Sequence, residues 1–214
     1  MFEEDVSSIQ QNLVLQGVAE ILNLAKVGNS VQVKNFGIWR NTNWLTGNIL
    51  NAYQSVDWYC GYSRNKERNQ LHCGKLYEAI TTEPWQETQP HHDILILKSD
   101  LYDNDVNWCF GYAVLGQMAV SSVYRFEKWL HNDYSMQREC FKTIIMHEVG
   151  HMLGLVNENR TDIEYNLGWH CTNNNCIMRQ GLTINAWVQY THERLNMGKS
   201  LCPHCQSDLR NHIL

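Results

Sequence analysis

The chain has 214 residues, of which 43% are hydrophobic and 18% charged, so it can bury one sizeable core and is not a disordered protein. Its 17 Lys and Arg residues against 22 Asp and Glu residues give a formal net charge of −5, which disfavours a protein that binds nucleic-acid phosphates. No stretch approaches the roughly 20 consecutive apolar residues that span a bilayer. We therefore predict a soluble protein whose partners include neither nucleic acid nor a membrane.

The amino-terminal segment and the cysteines both bear on the cellular compartment. Glu3, Glu4 and Asp5 stand where a secretory signal carries basic residues, and no small-residue cleavage site follows them. Four of the 8 cysteines are spaced as metal ligands, so the pattern is not that of a disulfide framework. We expect a cytoplasmic protein in a reducing compartment.

Within the first 82 residues, the spacing of apolar residues predicts two helices, one at the start of this region and one at its end. Apolar residues at steps of three or four predict an amphipathic helix from Phe2 to Val27, followed by a short strand from Val31 to Trp39. The stretch from Asn43 to Arg68 is rich in Asn, Trp and Tyr and shows no clean period. A second helix is predicted from Gly74 to Thr82, and the proline that follows would close it.

The middle of the chain predicts a sheet followed by a long helix. The apolar run from Asp93 to Lys98 is typical of a strand covered on both faces. Cys109 to Ala113 and Gln117 to Phe126 predict further extended segments. Ser135 is the predicted N-cap of a helix that ends at Gly154.

That helix carries the residues most indicative of function. His147 and His151 are four apart, so on a helix they share one face and can bind one zinc ion. Glu148 would point toward a metal-bound water, where a carboxylate can accept a proton and return it to the leaving amine. Gly154 can turn the chain back toward the metal in a left-handed conformation, whereas Gly150 indicates close packing in mid-helix.

The cysteines near the carboxyl terminus form two chelating pairs. Cys171 and Cys176 have four residues between them, and Cys202 and Cys205 have two. This spacing predicts a tetrahedral structural zinc site with four thiolates. The other four cysteines are predicted to be small buried residues; they are Cys60, Cys73, Cys109 and Cys140.

The segment from His147 to Cys205 resembles the archaemetzincins, a branch of the metzincin zinc peptidases. Their pattern is HExxHxxGxxHC, then four residues, Cys, one residue and Met, and later CxxC. The matching residues of this chain are His147, Glu148, His151, Gly154, His170, Cys171, Cys176, Met178, Cys202 and Cys205. Upstream, Phe110-Gly111 and Ala113 also resemble the family, whereas the resemblance before Arg68 is weak.

The resemblance implies an α+β, zincin-like (metzincin) fold in a single domain over residues 1–214. A twisted mixed sheet would lie over the active-site helix, after an N-terminal helix and strand region over 1–67. A small C-terminal part over 155–214 would contain the Met-turn at Met178 and the four-cysteine zinc site. The implied cofactors are two zinc ions, one catalytic and one structural.

The implied activity is that of a zinc-dependent metallopeptidase. A zinc-activated water would hydrolyse the peptide bond with Glu148 as general base, and the chain would act as a monomer on a peptide or protein substrate. The substrate would lie extended beside an edge strand within Gln117 to Val123. The alternative is a catalytically inactive zinc protein that binds peptides or partner proteins.

One departure from the family pattern concerns the third histidine. Asn157 stands at its usual position, and the histidine before the first cysteine is His170, so the chain carries an insertion of about 13 residues, roughly Val156 to Gly168. We predict that His170 is the third ligand of the catalytic zinc. Carboxylates within the insertion are the alternative ligands; they are Glu158, Asp162 and Glu164. The polar loop from Asn157 to Asn166 is a candidate lid over the cleft.

Overall fold

The computed structural model describes residues 1–28, 30–38, 55–83, 86, 88–156 and 158–213. Its helices are α1 (Ser8–Leu24), α2 (Val56–Ser63), α3 (Cys73–Thr81), α4 (Tyr124–Trp129), α5 (Tyr134–Met152), α6 (Ile184–Met197) and α7 (Pro203–Ile213). Its strands are β1 (Arg64–Asn65), β2 (Gln70–His72), β3 (Asp93–Leu97), β4 (Leu101–Asp103), β5 (Val106–Cys109), β6 (Gly111–Val114), β7 (Met118–Ser122), β8 (Ile163–Tyr165) and β9 (Trp169–Cys171). Among the described helices, none is both long enough and apolar enough to cross a membrane.

Helix α1 begins six residues later than its periodicity predicts. The Ser7 side chain accepts a hydrogen bond from the Gln10 backbone N–H, and the Gln10 side chain accepts one from the Ser7 backbone, which together form a capping box. Phe2 lies outside the helix and forms isolated parallel bridges with Ile38 and Ile96. Its apolar side chain therefore joins the core without belonging to α1.

The predicted strand from Val31 to Trp39 does not form within the described residues. Residues 31–38 run without a ladder, apart from the single bridge of Ile38 to Phe2. Trp39 and residues 43–54 of the unassigned stretch that begins at Asn43 lie outside the described residues. The rest of that stretch forms α2 and β1. The second predicted helix is confirmed as α3, which ends at Thr81, ahead of the proline.

The predicted α+β class with a mixed sheet is confirmed. Strand β7 pairs parallel with β3 and antiparallel with β6 in one sheet, and a second sheet has the order β1-β2-β4-β5. Strand β3 is covered on both faces as predicted, because Ile96 packs in one core cluster and Leu95 and Leu97 pack in the other. Strands β8 and β9 form a separate hairpin.

Two expectations about this sheet are wrong. The extended segment predicted from Gln117 to Phe126 ends at Ser122, and helix α4 begins at Tyr124. The strand within Gln117 to Val123 cannot receive an extended substrate, because β7 is the central strand and both of its edges are paired. The edge strands of this sheet are β3 and β6; β3 also forms a bridge to Phe2, whereas β6 pairs only with β7 in the described part of the chain.

Helix α5 lies between the sheet and the C-terminal segments and is buried over most of its length. Its N-cap is Asp133, whose carboxylate accepts a hydrogen bond from Met136 N–H, so the helix begins earlier than Ser135 predicts. It ends at Met152, and Gly154 follows with a positive φ of 89°. The predicted left-handed turn after the helix is therefore confirmed.

Helix α1 packs directly on α5 through a small residue. A Cβ atom at Gly17 would lie 3.2 Å from the Cγ2 atom of Ile145, which is tighter than ordinary contact. The close approach of the two backbones lets Ile21, which is 0% exposed, enter the core that α5 also builds. Ile9, on the same helix, is 53% exposed.

This difference predicts unequal effects of two chemically identical substitutions. Ile21→Ala should lower the free energy of unfolding by about 2–5 kcal/mol, because it leaves a cavity in the core. Ile9→Ala should change it by no more than about 0.5 kcal/mol. Urea unfolding followed by circular dichroism measures both values, and similar losses in the two variants would contradict this packing of α1.

Candidate active site

A cleft of about 690 Å³ opens between strand β6, helix α5 and the β8–β9 hairpin. Gly111 of β6, His147, Glu148 and His151 of α5, and His170 of β9 all line it. Cys60, Cys73 and Cys140 are buried as predicted, whereas Cys109 is only partly buried because it faces this cleft. The cleft thus brings together histidines from two elements that lie far apart in the sequence.

The three histidines form one compact group. Potential ligand atoms of His147, His151 and His170 all lie within 4.8 Å of one another. The Nε2 atoms of His147 and His151 are 3.1 Å apart, as expected for imidazoles one helical turn apart. The His170 ring centroid lies 5.4 Å from that of His147 and 5.0 Å from that of His151.

The hydrogen bonds of these rings suit zinc binding. His147 Nδ1 donates to the Ile177 carbonyl at 2.7 Å, and His170 Nδ1 donates to the Gly168 carbonyl at 3.1 Å. A backbone carbonyl on Nδ1 fixes the tautomer and leaves Nε2 as the free ligand atom. Three such imidazoles fit a zinc ion that keeps a fourth position open.

Burial keeps these imidazoles in the uncharged form that binds metals. Burial and the neighbouring His170 lower the pKa of His147 to about 3. Burial, together with His147 and His170, also holds the pKa of His151 well below its usual value. The pKa of His170 is lowered as well, chiefly by burial.

Among the described residues, the alternative carboxylate ligands do not join this group. Glu158 is exposed at the cleft rim, and Glu164 is exposed on β8 opposite His170. Asp162 is engaged by Arg160 and His204. Asn157 lies outside the described residues.

The insertion contributes a hairpin. Strand β8 is formed by inserted residues, and it pairs antiparallel with β9, which carries His170. Glu158 and Asn159 of the candidate lid line the cleft, and movement of this segment stays a prediction.

Glu148 is held in a tight space under strand β6. Its side chain is nearly buried, and burial raises its pKa to about 8. A Cβ atom at Gly111 would lie only 2.6 Å from the Cγ and Oε1 atoms of Glu148, so the carboxylate fits only because that position is glycine. No signal within the helical motif pointed to Gly111, because the contact joins residues 37 positions apart.

The four cysteines of the two chelating pairs also meet. Their Sγ atoms lie within 4.8 Å of one another, and all four residues are buried. Hydrogen bonds from the neighbouring thiols, Cys171 first among them, hold the pKa of Cys202 well below its usual value. Four sulfurs in this arrangement fit a closed tetrahedral zinc site.

Arg160 of the insertion contacts this thiol cluster and was not foreseen from the sequence. Its Nη1 atom lies 3.3 Å from Cys205 Sγ, and its Nη2 atom lies 3.6 Å from Cys171 Sγ. Asp162 and Asp208 accept hydrogen bonds from the same guanidinium. The arginine is therefore placed to offset negative charge on the thiolates.

Comparison with solved structures identifies the fold. The chain superposes on archaemetzincin from Methanopyrus kandleri with a TM-score of 0.64 and 18% identity, over 99% of this chain and 92% of that one. For archaemetzincin from Archaeoglobus fulgidus, complexed with malonate, the TM-score is 0.60 and the sequence identity is 22%. The superposition covers 97% of this chain and 96% of that one. A zinc-dependent peptidase from Methanocorpusculum labreanum superposes with a TM-score of 0.61 and 18% sequence identity, over 97% of each chain. No protein-family model matches the chain, and neither does any curated protein sequence.

The chain has the archaemetzincin fold. The resemblance seen in its motifs is therefore confirmed at the level of the fold, over nearly the whole chain. Within this archaemetzincin fold, the turn over residues 176–178 serves both metal-capable groups. Cys176 belongs to the thiol cluster, Ile177 orients His147, and Met178 accepts a backbone hydrogen bond from Cys171.

Met178 packs against the helix that carries His147 and His151. It is completely buried, and its Sδ atom lies 2.8 Å from where a Cβ atom at Gly150 would be. The close packing expected at Gly150 is thus confirmed, and its partner is Met178. Trp187 of α6, which the motifs did not indicate, packs edge-on against His147 with ring centroids 5.1 Å apart.

Removing His170 tests its assignment as the third ligand. We expect His170→Ala to lower the zinc affinity of the cleft site by more than about 100-fold, beyond the loss typical of an outer-shell partner. Glu164→Ala, which removes the facing carboxylate, should keep the wild-type affinity. Competition with a chromophoric chelator measures the affinity, and the thiolate absorption of bound Co²⁺ reports the cysteine site separately. Wild-type affinity in His170→Ala would exclude the assignment.

Substitution of Arg160 tests whether the four-cysteine group binds a metal ion with the help of this side chain. Arg160→Ala should weaken metal retention by the four-cysteine site roughly 10–100-fold, because the thiolates lose a cationic hydrogen-bond donor. Arg210→Ala, on the exposed side of α7, is the matched control. Zinc release after addition of excess chelator measures retention, and equal release from both variants would contradict a role for Arg160.

Proposed function

We propose that this protein is a zinc-dependent metallopeptidase of the metzincin type. The observation that carries the proposal is the convergence of three uncharged imidazoles beside the buried carboxylate of Glu148, all on one cleft. The archaemetzincin fold and the neighbouring zinc-dependent peptidase are consistent with it at the level of the fold. In this proposal His147, His151 and His170 hold the catalytic zinc.

The residues of the chain divide the chemistry between them. When bound, zinc supplies Lewis acidity, which polarises a scissile carbonyl and makes water a better nucleophile at neutral pH. Glu148 accepts a proton from the attacking water and passes it to the leaving amine nitrogen. Gly111 leaves room for the Glu148 side chain, and the carbonyl groups of Ile177 and Gly168 keep two of the imidazoles in the required tautomer.

Strand β6 provides a surface for an extended peptide. Gly111, Tyr112 and Ala113 line the cleft, and in the described part of the chain β6 is paired on one side only. A substrate backbone that adds to this edge would lie alongside the histidines. The strand proposed for substrate binding is therefore β6, in place of the segment expected from the sequence.

The cleft walls favour neutral or cationic substrates with apolar side chains. No Lys or Arg occurs among the described residues that line the cleft, whereas Asp103, Asp105 and Glu158 do. Exposed apolar side chains lie along the same walls; they include Leu115, Tyr165, Trp169 and Leu182. Such exposed apolar surface is typical of a binding cleft.

The four-cysteine group holds a second, structural zinc in this proposal. Its ligands are Cys171, Cys176, Cys202 and Cys205, and Met178 forms the Met-turn below the histidines. The protein would act as a monomer on peptide or protein substrates.

Glu148 provides the decisive test of the activity. Glu148→Gln keeps the side-chain volume but removes the base, so we expect turnover to fall by about 10²–10⁴-fold while both zinc ions are retained. Glu164→Gln, an exposed substitution near the same cleft, should retain full turnover. Mass spectrometry of a mixed peptide library measures cleavage, and native mass spectrometry counts the zinc ions.

The same experiment distinguishes the alternative function. Wild-type turnover in Glu148→Gln would disprove the proposed role of this carboxylate. If the wild-type protein binds two zinc ions and binds library peptides without cleaving any of them, the protein is a catalytically inactive peptide-binding protein.

A further inference from the structure

Two further cysteines, Cys73 and Cys109, meet at the edge of the cleft. The Sγ atoms of Cys73 and Cys109 are 3.5 Å apart, although the residues are 36 positions apart in the sequence. Cys73 is the first residue of α3, and Cys109 is the last residue of β5. Neither belongs to the histidine group or to the four-cysteine group. The peptidase proposal uses neither thiol.

The two thiols differ in their access to solvent. Cys73 is 0% exposed and packs in the core cluster that contains Leu71 and Leu76. Cys109 is partly exposed and lines the cleft. A small reagent that enters the cleft therefore meets Cys109 first and finds Cys73 directly behind it. This order is the one that a pair of attacking and resolving thiols requires.

We propose that Cys73 and Cys109 form a redox-active dithiol that a hydroperoxide oxidises to an intramolecular disulfide. The Cys109 thiolate attacks one peroxide oxygen, the O–O bond breaks, and the other oxygen leaves as water or an alcohol after taking up a proton. Cys73 sulfur then attacks the Cys109 sulfenic acid, the S–O bond breaks, and hydroxide leaves with the Cys73 proton as water. Two thiols thereby supply the two electrons that reduce one peroxide.

The surroundings of the pair favour this class of oxidant. The Asp103 carboxylate acts electrostatically on Cys73, so the site carries negative charge, and a neutral, small oxidant enters it more readily than an anionic disulfide. The hydrogen bond with Cys109 and burial both raise the pKa of Cys73, so this thiol retains the proton that the leaving hydroxide needs.

The position of Cys109 links the dithiol to the cleft. Only Phe110 separates it from Gly111, the residue that packs against Glu148. Sulfur atoms 3.5 Å apart must approach to about 2.05 Å in a disulfide, so the side chains of Cys73 and Cys109 move toward each other on oxidation. The proposal does not depend on peptidase activity, because the thiol chemistry can be measured in a protein that cleaves nothing.

The experiment uses full-length protein loaded with zinc, which protects the four-cysteine site. Hydrogen peroxide is added in steps, the remaining thiols are alkylated, and the protein is digested under non-reducing conditions. Mass spectrometry then identifies the cross-linked peptides. We expect a disulfide between Cys73 and Cys109 before any product forms at the buried single thiols Cys60 and Cys140.

Three variants separate the roles of the two thiols. In Cys73→Ser the sulfenic acid at Cys109 has no resolving partner, so dimedone should label Cys109. In Cys109→Ser we expect Cys73 to stay reduced. Cys140→Ser, which removes a buried thiol outside the pair, should form the disulfide as the wild type does. Circular dichroism confirms that each variant is folded.

Two results would overturn the proposal. One is a wild-type protein that shows no cross-link between Cys73 and Cys109 at peroxide concentrations that oxidise Cys60 or Cys140. Another is oxidation of the zinc-bound cysteines, with release of zinc, before the pair reacts. Mass-spectrometric mapping of the disulfides in the wild-type protein detects both results, even if a serine variant fails to fold.

Discussion

His170 and Cys171 are joined by one peptide bond, yet they belong to different metal-capable groups. Because strand β9 carries both, the position of the His170 imidazole in the cleft depends on how Cys171 is held in the thiol cluster. The backbone of Cys171 is held further by a hydrogen bond from its N–H to the Met178 carbonyl. The third histidine therefore has a rigid attachment although it comes from a strand and the other two come from a helix.

The same attachment explains how the chain tolerates its insertion. The insertion begins at Val156, whose φ of 64° is strained for a β-branched residue, and Asp208 holds this turn by accepting a hydrogen bond from Val156 N–H. Its later residues form the partner strand of β9. Arg160 fastens the middle of the insertion to Asp208 and to the thiol cluster. A long loop costs little extra entropy when its ends and its middle are fixed.

The sequence predicted those features that depend on local spacing. Two histidines one helical turn apart and two short cysteine pairs have geometries that any helix or tight loop imposes, so their grouping follows from the motif. The edge of the sheet was predicted incorrectly because strand order is a non-local property, and β7 reads as an extended segment whether it is central or outermost. The contacts that Gly111 and Arg160 make were missed for the same reason. Their partners, Glu148 and Cys205, are distant in sequence, and neither a glycine nor an arginine by itself predicts such a contact.

The histidine group and the thiol cluster differ in the charge that they carry before any metal ion binds. Burial keeps the three imidazoles uncharged, so the histidine group exists as a set of neutral ligands before any cation binds. The thiol cluster is different, because neighbouring thiols hold the pKa of Cys202 below its usual value, and Arg160 lies beside Cys205, where it can offset negative charge on the sulfurs. A metal ion bound by the four cysteines would contribute directly to the folding of the C-terminal segments. Since those segments position His170 and Ile177, a metal ion at the cysteines would also order the cleft.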